Sequence, residues 1–192
     1  CIHFRGDMPC RPNKESGKIC ATCTDYQPIS KRILIIKLGA LGDVIRTTPL
    51  LERYRKEYPH CHITWITNFP EILPKSALDC IRTFTFSDVF NVTKQHFDIA
   101  VNLCKDQEAA MLLAECNAKK KFGFIWSEGH LSIANPESEY KLLTGLFDSY
   151  SKANTKSYVE EIFEICGFDY QQEPYLLNVE SKQMDHWSYL QE

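Results

Sequence analysis

The sequence predicts a Rossmann-like α/β fold, in which a mostly parallel β-sheet carries helices on both faces. The first observation is a continuous apolar run over residues 33–36, which is typical of a strand buried on both faces. The second is the alternation of further strand-like segments, at residues 62–67, 97–103 and 121–126, with segments of helical periodicity. The third is composition: 192 residues that are 44% hydrophobic and 24% charged supply a core for one to one and a half domains.

Four segments carry the helical periodicity. Residues 43–58 place Val44, Leu51 and other apolar side chains along one stripe, and Pro59 ends the pattern. The other predicted helices cover residues 107–116, 137–149 and 155–166, the last closed by Gly167. Weaker patterns predict a short helix or loop over 69–75, a short strand over 83–86 and an extended piece over 175–179.

Residues 1–30 differ from the rest of the chain in composition and in apolar pattern. They are rich in Gly and Pro, and they show almost no periodic apolar pattern. Such a segment cannot form a core alone, so it needs a staple or a neighbour on which to pack. We therefore divide the chain into a small Cys-rich extension, residues 1–30, and a Rossmann-like domain, residues 31–192.

Four of the nine cysteines lie in this extension: Cys1, Cys10, Cys20 and Cys23. One C-x2-C pair with two further thiols gives the ligand count of a closed structural zinc site, and zinc would staple the segment. The alternative is that these are free or partly oxidised cysteines in a packed extension, where they could also act as a redox sensor. Since nine is an odd number, a complete disulfide framework is a poor fit, and reduced thiols in a cytoplasmic protein are favoured.

Charge and hydropathy exclude several classes of protein. The formal net charge is −3, from 22 basic and 25 acidic residues, so bulk electrostatics predicts no nucleic-acid partner. The sequence has no apolar run of about 18 residues, which a spanning helix requires. The chain starts at Cys1 and ends in a polar segment at Glu192, so we expect a piece of a longer protein.

Polar residues follow the predicted strands, where an open α/β sheet binds its ligands. The loop after the first strand contains Gly39, Ala40, Leu41 and Gly42 and leads into a helix near Asp43. It matches neither the G-x-G-x-x-G fingerprint nor a P-loop. The spacing leaves two interpretations of Asp43 open: an N-cap that accepts a backbone N–H, or a general base directed into the crevice.

Other polar residues near the strand ends are candidates for substrate binding. Lys37, Arg46 and Lys105 could hold a phosphate or carboxylate, or they could be solvated surface cations. Asn102 and His130 could hydrogen-bond a sugar, or they could be ordinary strand-end and loop residues.

Residues 33–50, with the element Leu41-Gly42-Asp43-Val44, resemble the opening of glycosyltransferase family 9, which includes the ADP-heptose:lipopolysaccharide heptosyltransferases. Tyr58-Pro59, a strand with Trp65 and the strand over 97–103 fit the same pattern, and the resemblance covers roughly residues 32–180. It departs at Gly39-Ala40, where many heptosyltransferases have a polar pair, and this difference puts a lipopolysaccharide-core acceptor in doubt.

The resemblance implies a GT-B fold, of which this chain would be the N-terminal, acceptor-side half. Asp43 would be the catalytic base of an inverting transfer of a heptose-like sugar to a sugar or lipid-linked glycan acceptor, for example in lipopolysaccharide biosynthesis. Substrate-binding positions would be Gly39, Ala40, Leu41, Gly42, Arg46, Asn102, Lys105 and His130. The nucleotide-sugar donor would bind an absent C-terminal domain, so this piece alone would be inactive.

The implied enzyme is bacterial and cytoplasmic, with peripheral association at the inner face of the membrane. An alternative remains open: a non-catalytic Rossmann-like module that binds a nucleotide or sugar phosphate and carries a metal-stapled interaction arm.

Overall fold

The computed structural model describes residues 1–178, which form one six-stranded sheet with helices on both sides. The strands are β1 Arg32–Ile36, β2 His62–Thr67, β3 Cys80–Thr83, β4 His96–Asn102, β5 Asn117–Ser127 and β6 His130–Ile133. Their order is β3-β2-β1-β4-β5-β6. The first five strands pair in parallel, with Ile35 beside Trp65 on one neighbour and beside Val101 on the other. The predicted fold class is therefore confirmed.

The sixth strand was not predicted, and it runs antiparallel to β5. A two-residue turn joins the pair, and both of its residues, Glu128 and Gly129, have positive φ. Such a turn matches the twist of a hairpin. The strand predicted over 121–126 is correspondingly longer in the structure.

Eight α-helices complete the described chain. They are α1 Arg11–Ser16, α2 Leu41–Thr47, α3 Pro49–Glu57, α4 Phe86–Lys94, α5 Gln107–Glu115, α6 Glu139–Leu146, α7 Asp148–Ala153 and α8 Tyr158–Ile165. A 3-10 turn at Pro70–Ile72 lies within the segment predicted as a short helix or loop.

The single helix predicted over residues 43–58 is wrong, because the structure divides it into α2 and α3. Pro49 has no N–H to donate to the Ile45 carbonyl, and the N–H of Thr48 takes that acceptor at 3.0 Å. The apolar stripe continues across the break, so periodicity alone gave no sign of it. In the same way, the helix predicted over residues 137–149 ends at Leu146 and resumes at Asp148.

The strand predicted over residues 83–86 is displaced. The strand there is β3, which ends at Thr83, and α4 begins at Phe86. Thr85 caps α4 by accepting the N–H of Asp88, and the Asp88 carboxylate in turn accepts from the N–H and the hydroxyl of Thr83. These short polar contacts, not an apolar pattern, determine where the strand gives way to the helix.

The core consists of two apolar layers, one on each face of the sheet. Ile33 and Ile35 of β1 pack on one face with side chains of α3 and α8, including Tyr54 and Phe163. Leu34 and Ile36 pack on the other face with side chains of α4 and α5. All four of these β1 side chains are fully buried, as the continuous apolar run predicted.

Residues 1–30 form an arm whose one buried residue is Pro12. The arm contains α1 and a 3-10 turn at Cys20–Thr22. It joins the domain through Ser30, whose N–H and hydroxyl donate to the carbonyls of His60 and Pro59 at 3.2 and 2.6 Å.

Residues 168–178 return across α3 without forming a strand. The buried Arg53 side chain pairs with Glu173 and donates to the Asp169 carbonyl, and the Leu176 N–H donates to Thr48. The extended piece predicted over 175–179 therefore does not join the sheet over 175–178, and Val179 lies outside the described residues. So does the rest of the predicted domain, residues 180–192. Over residues 1–178, no helix has the length and apolar character needed to cross a membrane.

Candidate active site at the carboxyl edge of the sheet

A polar cleft of about 440 Å³ lies where β1, β4 and β5 meet α2, α6 and α8. It is on the carboxyl side of the parallel strands, where the sequence predicted ligand binding. The residues that line this cleft are Lys37, Gly39, Ala40, Asp43, Arg46, Leu103, Cys104, Lys105, Asp106, Phe124, Lys141 and Tyr158.

Asp43 faces this cleft from the first turn of α2. The N-cap of α2 is Ala40, and its first helical residue is Leu41. Asp43 is therefore the third helical residue, and its carboxylate makes no capping bond. The N-cap interpretation of Asp43 is wrong, because the helix begins two residues earlier than the sequence predicted.

Two cations hold the Asp43 carboxylate instead. Lys37 Nζ lies 3.3 Å from Oδ2, and the Arg46 guanidinium, one turn along α2, bonds Oδ1. Burial of the Asp43 side chain favours its protonated form, but Lys37 and Arg46 outweigh this effect, so the pKa of Asp43 is lowered. At neutral pH Asp43 is therefore an ionised carboxylate that faces the cleft.

Lys37 directly follows β1 and is 4% exposed. Burial disfavours its charge, but Cys104, Tyr158 and Asp43 outweigh that penalty, so the pKa of Lys37 is raised. Its ammonium group also lies 3.3 Å from the Leu103 carbonyl. A charged lysine here needs these partners, since an unpaired buried cation is strongly destabilising.

The ring of Tyr158 lies among three cations at one side of the cleft. The Arg46 guanidinium is 4.2 Å from the ring centroid, Lys141 Nζ is 4.8 Å away, and Lys37 Nζ is 5.9 Å away. These distances are typical of cation–π contacts. Burial raises the pKa of the Tyr158 phenol, so the hydroxyl stays protonated.

Lys105 and Lys141 supply further positive charge to the cleft. Lys105 lies against the backbone of α6, where a Cβ added to Gly145 would fall 1.5 Å from the lysine Nζ. Burial and then the charge of Lys141 lower the pKa of Lys105. The buried carboxylate of Glu161 fixes Lys141, and it also accepts a hydrogen bond from Thr144.

Asn102 was predicted to bind substrate, but the structure gives it a different role. Its side chain is fully buried, and its amide donates to the carbonyls of Cys104 and Phe124 at 2.9 and 2.7 Å. Its Oδ1 accepts the Cys104 N–H at 2.9 Å. Since the amide is engaged by backbone groups, Asn102 fixes the loop that presents Lys105, and it does not line the cleft.

Among the other predicted substrate positions, Gly39, Ala40, Arg46 and Lys105 line the cleft, whereas Leu41, Gly42 and His130 do not. Leu41 is 43% exposed. His130 lies in the hairpin between β5 and β6, and its Nδ1 contacts the carbonyl oxygen of Glu128. The hairpin explains the error for His130, because the long β5 strand carries that residue away from the strand-end loops.

Sequence reasoning missed two important cleft residues, Lys141 and Tyr158. A capping box marks the start of α8: Ser157 accepts the N–H of Glu160, and the Glu160 side chain accepts from the Ser157 N–H. The S-x-x-E pattern could have located Tyr158 at the first helical position. It could not have shown that α8 packs beside α2.

The structure does not gather Cys1, Cys10, Cys20 and Cys23 into a metal centre. Within residues 1–178 there is no group of three or more His, Cys, Asp or Glu side chains that could hold a metal ion. Cys10 precedes α1, while Cys20 begins a separate 3-10 turn and Cys23 follows it, and Cys20 is exposed. The arrangement does not fit a four-thiolate zinc site, and metal analysis of anaerobically purified protein would test that prediction directly.

The fold and the cleft together define a Rossmann-like domain with a charged cleft at the carboxyl edge of its sheet. Comparison with known proteins shows which solved structures share this fold. The sequence matches no family model and no curated protein. The structure of the chain, however, is similar to several solved structures.

One similar structure is a glycosyl transferase family 9 protein from Veillonella parvula DSM 2008, with a TM-score of 0.56, 20% identity and coverage of 86% of this chain and 51% of that one. Another is the E. coli ADP-heptose lps heptosyltransferase II, with a TM-score of 0.52, 15% identity and coverage of 83% and 50%. A third is the E. coli heptosyltransferase WaaC with ADP, with a TM-score of 0.50, 17% identity and coverage of 75% and 50%.

The chain therefore shares the Rossmann-like fold of about half of each of these glycosyltransferases, as its resemblance to glycosyltransferase family 9 implied. It spans about half the length of these solved structures.

Proposed function

We propose that this chain is the acceptor-side half of an inverting glycosyltransferase that transfers a heptose-like sugar, and that Asp43 is its catalytic base. The observation that carries the proposal is the ionised Asp43 carboxylate, which faces a polar cleft on a fold shared with heptosyltransferases. A base in this position needs an oxygen free of backbone capping, and Asp43 has no capping bond.

In the proposed reaction, an acceptor hydroxyl donates its proton to Asp43 as its oxygen attacks the anomeric carbon of the donor sugar. The bond from that carbon to the nucleoside diphosphate breaks, and the electron pair leaves with the diphosphate. A single displacement inverts the configuration at the carbon and needs no covalent intermediate. The lowered pKa keeps Asp43 ionised at neutral pH, so the carboxylate can accept the proton that the hydroxyl gives up as its oxygen bonds to carbon.

The acceptor in this proposal carries a negatively charged group. Arg46, Lys105 and Lys141 surround the cleft beside Asp43, and they would bind a phosphate or carboxylate of a sugar or lipid-linked glycan. The backbone of Gly39 and Ala40 lines the same cleft and could approach a sugar ring closely. The nucleotide-sugar donor would bind a second domain, and we place the reaction in the cytoplasm, at the inner face of the membrane.

The direct test is Asp43→Asn in the longer protein that this proposal requires, one that also carries the donor domain. The amide keeps the shape of the side chain but cannot accept the proton, so we expect a loss of kcat of about 100-fold or more, within the range given by general-base catalysis. Sugar transfer to the acceptor is the measurement.

Asp98→Asn is a matched control for this test. Asp98 is also a carboxylate paired with a lysine, Lys119, and its pKa is also lowered, but it lies at the amino end of β4. Full activity in Asp43→Asn would refute the base assignment. An equal loss of activity in both variants would show that the effect is one of stability.

The alternative is a non-catalytic module that binds a nucleotide or sugar phosphate. The cluster of Lys37, Arg46, Lys105 and Lys141 favours it, since phosphate binds well to converging cations. Calorimetric titration of the 192-residue chain with ADP separates the two functions. The glycosyltransferase proposal predicts no binding tighter than about 1 mM, because the nucleotide belongs to the other domain, whereas micromolar binding would favour the module.

A further inference from the structure

Arg46 is one of the two cations on Asp43, and its side chain is half exposed. The exposed fraction is 47%, against 5% for the other cation, Lys37. An exposed arginine loses rotamer freedom when it is held in one position, so a surface ion pair of this kind is ordinarily weak. Some other contact has to hold Arg46 if it is to stay on the carboxylate.

The ring of Tyr158 makes that contact. It lies 4.2 Å from the Arg46 guanidinium, which is the shortest cation–ring distance among the described residues. The guanidinium thus lies between an aromatic face and the Asp43 carboxylate. Planar guanidinium groups stack well on aromatic faces while their N–H groups remain free to donate in the plane.

Tyr158 is itself held rigidly. It is the first residue of α8, between Ser157 and Glu160 of the capping box, and α8 packs against α2. Its hydroxyl is buried and makes no hydrogen bond with good geometry to any residue in 1–178. The contact of Tyr158 with Arg46 therefore comes from its ring.

We infer that Tyr158 is a positioning residue for Asp43, which acts by stacking on Arg46 and holding the guanidinium against the carboxylate. This inference rests on the proposed function for its catalytic meaning, but its structural part concerns only Asp43, Arg46 and Tyr158. It assigns a function to α8, a helix whose sequence gave no sign of lying at the site.

The test is to measure the ionisation of the Asp43 carboxyl group by carbon-13 NMR in the 192-residue chain. In Tyr158→Leu the ring is gone and Arg46 is released, so the Asp43 titration should move to higher pH, towards that of a free aspartate. In Tyr158→Phe the ring remains, so the titration should stay close to that of the unaltered chain.

Tyr140→Leu is the matched control. Tyr140 also carries a cation on its ring, with Lys156 Nζ 4.6 Å from the centroid, but it does not line the cleft. Its loss should lower stability while the Asp43 titration remains unchanged. If Tyr158→Leu leaves the Asp43 titration in place, or if Tyr140→Leu moves it equally, the inference is refuted.

Kinetics of the longer protein provide a second readout. We expect Tyr158→Leu to lower kcat by about fivefold to tenfold, the scale of one cation–π contact, and to move the acid limb of the kcat/KM profile to higher pH. Failure of the two proposals can be told apart. A shifted Asp43 titration together with an active Asp43→Asn variant would refute the catalytic base and leave the positioning role of Tyr158 intact.

Discussion

Asn102→Ala distinguishes a structural role for this residue from the substrate-binding role that its position at a strand end suggests. The substitution removes three hydrogen bonds to backbone groups and leaves the Cys104 N–H and the carbonyls of Cys104 and Phe124 without these partners. A buried polar group without a partner costs about 1–3 kcal/mol. Because the cleft lets water reach part of the loop, we expect a total loss of roughly 3–5 kcal/mol, a large share of an ordinary domain's roughly 5–15 kcal/mol.

Urea denaturation followed by circular dichroism measures this loss, and His130→Ala serves as its control. His130 was also predicted to bind a sugar, but it is exposed in a hairpin, so its replacement should change stability by less than about 0.5 kcal/mol. If Asn102→Ala unfolds at the same urea concentration as the unaltered chain, the structural role is refuted. Weaker acceptor binding in such a stable variant would restore the substrate-binding interpretation.

Three further outcomes are expected. Gly123→Ala should give little folded protein on expression, because Gly123 has φ +93° and an added Cβ would lie 1.9 Å from the Asn102 carbonyl oxygen. The pKa of Asp43 is lower in the folded chain than in the unfolded chain, where it is about 3.9, so the ionised carboxylate stabilises the fold above that pH and this contribution is lost as the pH falls further. Denaturation curves should therefore show that the unaltered chain is more stable than Asp43→Asn at neutral pH and that this difference shrinks below about pH 4. Burial raises the pKa of the Cys166 thiol to about 12, so iodoacetamide at neutral pH should label the exposed Cys20 and spare Cys166, as mass spectrometry can show.

The parts of the fold that the sequence predicted are those determined by local apolar patterns. The run at 33–36 is typical of a strand buried on both faces, and the segments His62–Thr67 and 97–103 carry similar apolar and β-branched content. Each became a central strand. The predicted helix over 107–116 agrees with α5 to within one residue, because the apolar stripe begins and ends where the helix begins and ends.

The parts that the sequence did not predict depend on backbone geometry or on contacts between distant segments. The break before Pro49 lies inside a continuous apolar stripe, and β6 depends on two residues of positive φ, one of which is not glycine. In the cleft, Tyr158 lies near Asp43 because α8 packs beside α2, and Lys141 reaches the same cleft from α6, which packs on α8. Periodicity within one segment carries no information about contacts between side chains of different helices.

The alternatives for Asp43 depended on its distance from the start of a helix, but the decisive residue is Lys37, at the end of the preceding strand. A buried lysine directly after a strand that is buried on both faces needs a negatively charged partner, and Asp43 lies within reach across the glycine-containing turn. This pairing also determines which substitution tests catalysis. Asp43→Ala would leave Lys37 buried with one partner fewer, so lost activity could reflect a disturbed cleft. Asp43→Asn retains an amide oxygen for the lysine, and its lost activity would report on proton transfer.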